Sequence, residues 1–87
     1  MNKTLTVKND QGRILSCVLS GEEDLQSQIN RFLFGQAKPG GGYSAVLYDD
    51  RIDIIDYIAY DRVSSFAILS IEDTDADVTT KWAETKT

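Results

Sequence analysis

The chain has 87 residues, a formal net charge of −5, no histidine and a single cysteine, Cys17. This length supports one domain with one core, and 41% hydrophobic with 26% charged residues is typical of a folded protein. The composition excludes an intramolecular disulfide, a thiolate metal cage and imidazole catalysis, and its acidity disfavours direct binding to nucleic acid or anionic membranes.

The beginning of the chain predicts a cytoplasmic protein. Residues 1–10 have no apolar stretch behind their basic start, which a secretory signal requires. No apolar run along the chain approaches the ~18 residues that a membrane span needs. We therefore expect neither a signal peptide nor a membrane partner.

Two runs near the N-terminus predict a β-hairpin. Residues 4–7 alternate weakly and end at the turn formers 9–12, after which residues 13–20 alternate again. Leu15, Cys17 and Leu19 fall on the more apolar face of the second run, which we expect to face the core. Cys17 is then a buried structural thiol rather than a reactive one.

A helix is predicted over residues 21–34. Ser20 and Glu23 have the spacing of a capping box, in which each side chain accepts a hydrogen bond from the other residue's backbone N–H. An apolar stripe at helical spacing follows, formed by Leu25, Ile29, Phe32 and Leu33. The glycine-rich loop that comes next leads from a helix into a strand, the reverse of a phosphate-binding loop, so we interpret it as a connection.

Three further strands are predicted at residues 43–48, 52–60 and 64–71, with turns at 49–51 and 61–63. A β-bulge near Ile54 and Ile55 would place Ile55, Tyr57 and Ala59 on the core side. A helix over residues 52–58 is the alternative interpretation of the middle run.

These elements predict a small α+β, two-layer domain. An antiparallel sheet of about five strands, in the order ββαβββ, has one amphipathic helix packed on one face. Residues 1–78 form this single domain. Residues 79–87 form a polar C-terminal tail, either loosely ordered or a short helix docked by Trp82.

Catalytic chemistry has little support in the sequence. Without histidine there is no Ser-His or Cys-His pair, and a domain of this size rarely encloses a cleft that raises the pKa of a carboxylate. We therefore expect a protein that is not an enzyme and that carries no cofactor.

A weak metal candidate lies near the C-terminus. Asp73, Asp75, Asp77 and Glu84 occupy relative positions 1, 3, 5 and 12, a spacing that resembles a calcium loop of the EF-hand type. The resemblance covers 12 residues. It departs from the family at Val78, which stands where those loops have glycine, and in the strand-like segment that precedes it. An acidic, solvated tail is the alternative.

The negative charge of the chain is local. Residues 49–77 contain nine carboxylates and only two basic residues, Arg51 and Arg62, which is a formal charge of −7. Such charge can keep a protein soluble and block sheet edges. It can also stand in for a phosphate backbone and attract a basic surface, and tyrosine beside aspartate suits contact with arginine.

The candidate partner-binding residues are drawn from this acidic segment and its tyrosines: Asp49, Asp50, Asp53, Asp56, Tyr57, Tyr60 and Asp61. We predict a non-catalytic, acidic protein-binding module that occludes the cationic, nucleic-acid-binding surface of a larger protein partner. In size and charge it is similar to phage-encoded inhibitors of host defence, such as anti-CRISPR and anti-restriction proteins.

Two alternatives belong to other classes. The sheet face that the helix leaves open could carry the tyrosines and aspartates and pair with a second copy, which would make the protein a structural subunit that homodimerises. The acidic C-terminal segment could instead make it a weak calcium-binding module.

Overall fold

The computed structural model describes residues 1–34, 42–79 and 81–85. It shows a small α+β domain with a six-stranded antiparallel sheet and one short helix. The strands are β1 (Asn2–Lys8), β2 (Ile14–Leu19), β3 (Tyr43–Leu47), β4 (Arg51–Asp56), β5 (Asp61–Thr74) and β6 (Ala83–Glu84). Helix α1 (Leu25–Gln28) continues into a π-helical segment (Ile29–Phe34). Most of the predicted glycine-rich loop lies outside the described residues.

The sheet has the strand order β3-β4-β5-β1-β2-β6. The predicted fold class is confirmed, with β6 as a strand beyond the predicted five. The N-terminal hairpin is also confirmed, since β1 pairs with β2 from Lys3 opposite Leu19 to Lys8 opposite Ile14. Its turn is closed by the Asn9 side chain, whose Oδ1 accepts hydrogen bonds from two backbone amides of the turn.

Strand β5 is the longest element and joins the two parts of the sheet. Its first half pairs with β4, from Asp56 opposite Asp61 to Arg51 opposite Ala67. Its second half pairs with β1, from Lys8 opposite Ala67 to Asn2 opposite Thr74. The two partners are therefore staggered along β5 and meet only near Ala67.

The core lies between the helical segment and one face of the sheet. Its buried residues come from β1, β2, the π-helical segment, β3 and β4: Leu5, Val7, Cys17, Leu19, Ile29, Ala45, Ile52 and Ile54. Strand β5 contributes the partly buried Phe66 and Ile68. The predicted core side of β2 is confirmed, because Cys17 and Leu19 are buried and Leu15 packs against the core. Burial raises the pKa of the Cys17 thiol to about 12, so this cysteine is a buried structural thiol, as predicted.

The predicted start of the helix was wrong by four residues. Asp24 is the N-cap, and its carboxylate accepts a hydrogen bond from the Ser27 backbone N–H at 2.9 Å. The capping box fails because the N–H of Ser20 donates instead to the buried Gln28 side chain at 2.7 Å. Glu23 forms an ion pair with Arg31 at 2.9 Å. Gln28 thus ties the helix to the end of β2.

The middle of the acidic segment also differs from the prediction. Strand β4 ends at Asp56, and residues 57–60 form a turn where the predicted strand continued. The Asp56 side chain accepts hydrogen bonds from the backbone amides of Ile58 and Ala59 at 2.9 and 3.3 Å, which ends the strand. Strand β5 then begins at Asp61, where a turn was predicted.

The β-bulge at Ile54 and Ile55 is confirmed by a shift in the β4–β5 register, and the helical alternative for this run was wrong. The predicted consequence of the bulge was wrong in part. Tyr57 and Ala59 are exposed rather than facing the core, because the chain leaves the sheet after Asp56.

The outer sides of β3 and β2 are both covered by other parts of the chain. On β3, the Gln26 side chain donates to the Ala45 carbonyl and accepts from the Leu47 N–H, each at 2.6 Å. Asn30 accepts from the Ala45 N–H at 3.2 Å. Because side chains of the helical segment bind these backbone groups, the edge of β3 is closed to further strands.

The edge of β2 is covered by the C-terminal segment. Thr79 exchanges two hydrogen bonds with the backbone of Val18, at 2.8 and 2.9 Å, and β6 pairs with β2 farther along. Trp82 packs against the core and stacks on Phe66, with ring centroids 6.2 Å apart. The tryptophan is docked, as one of the two predicted alternatives had it, but the docked element is a strand rather than a helix.

Neither helical element in the described part of the chain is long and apolar enough to cross a membrane.

Candidate functional site

The predicted partner-binding residues do not form one continuous face. Asp49 and Asp50 lie in the turn between β3 and β4, whereas the other exposed members lie at the opposite end of β4. The five residues 51–55 of β4 separate Asp50 from Asp56, a distance of about 20 Å at the rise of an extended strand. The structure therefore divides the predicted set into two groups with a buried residue between them.

That buried residue is Asp53. Its carboxylate accepts hydrogen bonds from Ser65 Oγ at 2.8 Å and from Arg51 Nε at 3.2 Å. Burial raises the pKa of Asp53, but the hydrogen bonds from Ser65 and Arg51 outweigh it, so the pKa lies below its usual value. Asp53 therefore joins neighbouring strands, and its side chain is not offered to a partner.

The group at the β3–β4 turn is partly neutralised. Arg51 forms an ion pair with Asp50 at 3.1 Å, as well as the pair with Asp53. Its guanidinium also lies over the Tyr48 ring, 4.3 Å from the ring centroid. One arginine thus engages two of the predicted carboxylates and the nearby tyrosine.

The second group surrounds the turn of residues 57–60, which we call the tyrosine turn. Tyr57, Ile58 and Tyr60 are 53%, 73% and 86% exposed. Asp56 and Asp61 flank the turn and lie directly opposite each other in the β4–β5 register. The tyrosine turn is therefore an exposed aromatic and aliphatic surface between two carboxylates.

Tyr60 has an unusual backbone conformation. Its φ is +55°, and it is the one non-glycine residue in the described part of the chain with positive φ. This left-handed region costs a non-glycine residue roughly 1–2 kcal/mol and is normally taken by glycine or asparagine. Because the Tyr60 side chain is almost fully exposed, packing in the fold does not offset this cost. The ring is thus held outward at a cost in stability.

The candidate calcium ligands are not brought together. Asp73 forms an ion pair with Lys3, and that hydrogen bond, with the lysine's charge, lowers the pKa of Asp73. Asp75 and Asp77 follow the end of β5, whereas Glu84 lies on β6 beside β2. Within the described ranges, no three or more histidine, cysteine or carboxylate side chains form a group that could hold a metal ion.

In the β5-β1-β2 part of the sheet, the face opposite the core carries mainly small polar residues rather than the predicted tyrosines and aspartates. Thr4 lies opposite Val18 and Glu72, and Thr6 lies opposite Ser16 and Ser70. Residues paired across strands share a face, so this set makes the open face of the β5-β1-β2 part of the sheet. The exposed tyrosines are absent from it because they lie in turns.

One cavity, of about 190 Å³, lies between the N-terminal hairpin turn and β5. Its lining consists of Asn9, Asp10, Gln11, Ser64 and Phe66. Ligand pockets typically measure ~300–1,000 Å³, and this lining contains one carboxylate rather than a pair. The cavity therefore offers no recognisable acid–base arrangement.

Sequence reasoning missed several exposed apolar residues. Ile58 lies in the tyrosine turn, Val63 follows it on β5, and Leu69 and Ile71 lie farther along the same strand. Alternating apolar residues predict burial on one face, and in the sequence nothing distinguishes these from core residues.

Comparison of the chain with family models, with curated proteins and with solved structures gives no significant match in any of the three.

Proposed function

We propose that this protein is a non-catalytic binding module that occludes a cationic, nucleic-acid-binding surface of a larger protein. The tyrosine turn is the contact, with Asp56 and Asp61 beside it. The observation that carries this proposal is the exposed Tyr60 ring on a left-handed backbone. A costly conformation that packing does not require points to a role outside the fold.

The composition of the turn suits a basic partner. Tyrosine is enriched at the centres of protein interfaces, and tyrosine faces attract guanidinium groups. The carboxylate of Asp61 is exposed beside the turn, and the structure contains no ion pair to it within the described residues. It can therefore bind a partner's arginine or lysine.

Homodimerisation through the open sheet face has less support. That face consists largely of threonine and serine, whereas interfaces of stable homodimers are more apolar than the rest of the surface. A calcium-binding role also has less support, because its candidate ligands lie apart.

The proposal is tested by affinity capture from a lysate of the organism that encodes the chain, with Tyr60→Gly as the variant. Glycine accepts a positive φ without strain, so this variant keeps the turn and loses the ring. Ala59→Gly is the control, since it changes the backbone of the same turn and leaves both tyrosines in place.

The captured protein is then purified, and its binding to nucleic acid is measured with increasing amounts of each variant. We expect the wild type and Ala59→Gly to displace the nucleic acid and Tyr60→Gly to fail. If the captured protein keeps its nucleic acid while the wild type is bound, the occlusion proposal is wrong. Equal displacement by Tyr60→Gly would exclude the tyrosine turn as the contact.

A further inference from the structure

The second half of β5 has a strand on one side only. The β4–β5 register ends with Arg51 opposite Ala67, and the last hydrogen bond on that side runs from the Ile68 N–H to the Asp50 carbonyl at 2.9 Å. Strand β5 continues to Thr74, paired with β1 alone. We call the side of residues 69–74 that faces away from β1 the open edge.

The open edge contrasts with the rest of the sheet. The outer side of β3 is bound by Gln26 and Asn30, and the outer side of β2 is bound by the C-terminal segment. Strand β1 ends before it reaches the first half of β5. On that side the β1–β2 turn lies beside β5, and Ser64 Oγ donates a hydrogen bond to the Asp10 carboxylate at 3.2 Å. Among the residues that the structure describes, no strand or side chain covers the open edge in this way.

The register with β1 skips Leu69 and is regular from Ser70 to Thr74. Alternate residues of a regular strand direct their backbone N–H and C=O groups to the same side, so this part of the open edge presents donors and acceptors to an incoming chain. Leu69 and Ile71, beside these groups, are 50% and 41% exposed. Backbone groups with neighbouring apolar side chains are what an added strand contacts.

The charge around the open edge determines which strand fits. Carboxylates lie on the edge strand and beyond both its ends: Asp49, Asp50, Glu72, Asp73, Asp75 and Asp77. The basic residues paired with this set are Lys3 and Arg51. The excess of negative charge favours a chain that carries lysine or arginine.

We propose that the open edge binds an extended, lysine- or arginine-rich segment of a partner protein as an added β-strand. Backbone hydrogen bonds supply the pairing, and the carboxylates select a cationic segment. A second copy of this chain is disfavoured, because pairing of two open edges would bring the carboxylates of Glu72 and Asp73 from both copies into one interface, and residues 69–74 contain no basic side chain.

This site is separate from the tyrosine turn. The tyrosine turn precedes the first residue of β5, and residues 61–68 of that strand separate it from the open edge, about 25 Å at the rise of a strand. The two sites can therefore be tested independently.

The test uses a synthetic peptide, acetyl-Lys-Val-Lys-Thr-Lys-Val-Lys-amide, titrated into the isotopically labelled protein and followed by NMR. Its control has the same composition and charge but D-residues at alternate positions, which prevents a regular pleated strand. We expect the all-L peptide to shift the amide signals of residues 69–74 and to slow hydrogen exchange at those whose N–H groups face the open edge. We also expect it to bind about tenfold more tightly than the control.

Two variants complete the experiment. Glu72→Lys is expected to weaken peptide binding about tenfold, since it reverses a charge on the open edge. Glu22→Lys, which reverses an exposed charge outside both sites, is expected to leave peptide binding unchanged. The occlusion proposal is tested with Tyr60→Gly in a separate displacement assay, so failure of the occlusion proposal and failure of this one are distinguishable. Equal binding of both peptides, shifts confined to the tyrosine turn, or self-association of the free protein through residues 69–74 would each overturn the proposal.

Discussion

The two halves of β5 end in surfaces of different kinds. The first half pairs with β4 and begins at the tyrosine turn, where exposed side chains project from a closed hairpin. The second half pairs with β1 and leaves backbone groups unpaired along its other side. One end is suited to recognition by side chains and the other to recognition by main-chain pairing. The stagger of β4 and β1 produces this difference, because each covers only half of β5.

The largest effect is expected from core substitutions, which test whether the two halves of β5 and their partner strands unfold as one unit. Ile52 lies opposite Phe66 in the first half, and Leu5 lies opposite Ile71 in the second, and both Ile52 and Leu5 are buried. We expect Ile52→Ala and Leu5→Ala each to lower the free energy of unfolding by about 2–5 kcal/mol. Urea unfolding followed separately by tryptophan fluorescence and by circular dichroism should give coincident curves. Separate transitions would show that the two parts of the sheet, which meet at Ala67, unfold independently.

A second prediction concerns the polar link between β4 and β5. Asp53→Ala removes the acceptor of Ser65 and Arg51, and we expect a loss of about 1–3 kcal/mol in the free energy of unfolding. Binding of the cationic peptide to the open edge should not change. A near-neutral result in urea unfolding would contradict the structural role assigned to this carboxylate.

The same residue predicts a pH dependence. The pKa of Asp53 is lower in the folded protein than in the unfolded chain, where it is about 3.9, so its contribution to stability is complete above that pH. The contribution is lost as the pH falls through the folded-state pKa. Unfolding measured between pH 7 and pH 2 should show a weaker acid dependence for Asp53→Asn than for the wild type; identical profiles would exclude Asp53 as a source of the acid sensitivity.

The covered edge of β3 can be exposed by mutation and compared with the open edge of β5. Gln26→Ala frees the Ala45 carbonyl and the Leu47 N–H, and we expect a loss of about 1 kcal/mol with faster hydrogen exchange at Leu47. Gln11→Ala, in an exposed turn, is the matched control and should change neither quantity. Unchanged exchange at Leu47 in the Gln26 variant would show that the helix side chain does not protect this edge.

The smallest expected effect is a gain in stability. Tyr60→Gly relieves the left-handed strain but adds freedom to the unfolded chain, and we expect a net stabilisation of up to about 1 kcal/mol. Ala59→Gly is the control, because it adds the same freedom to the unfolded chain without relieving strain. Thermal unfolding of both variants measures the difference in their stabilities. Destabilisation by both variants to the same extent would mean that Tyr60 is not strained.

Local patterns accounted for much of the fold. The N-terminal hairpin and the bulge at Ile54 were predicted because turn formers and broken alternation mark them in the sequence. The tyrosine turn was missed because it contains no glycine, proline or asparagine, and its stop signal is the Asp56 side chain. The helix start was misplaced because Gln28, eight residues away, binds Ser20.

The candidate site was predicted less well, for a physical reason. Residues 49–61 are acidic in sequence, but whether a carboxylate is free depends on strand register and on long-range partners. Asp53 is buried beneath Arg51 and Ser65, whereas Asp61 is exposed at the start of β5. The open edge could not be predicted at all, since it results from the stagger of β4 and β1 along β5.

The position of β1 between β5 and β2 has a consequence for how the chain folds. Lys3 and Asp73, which form an ion pair across the sheet, are 70 residues apart in sequence. A ribosome must therefore synthesise the chain through β5 before the central strand acquires its second neighbour, and the β1–β2 hairpin alone is at best marginally stable. Because such distant pairings are slow to form, we expect folding in the range of milliseconds to seconds, and not before β5 has been synthesised.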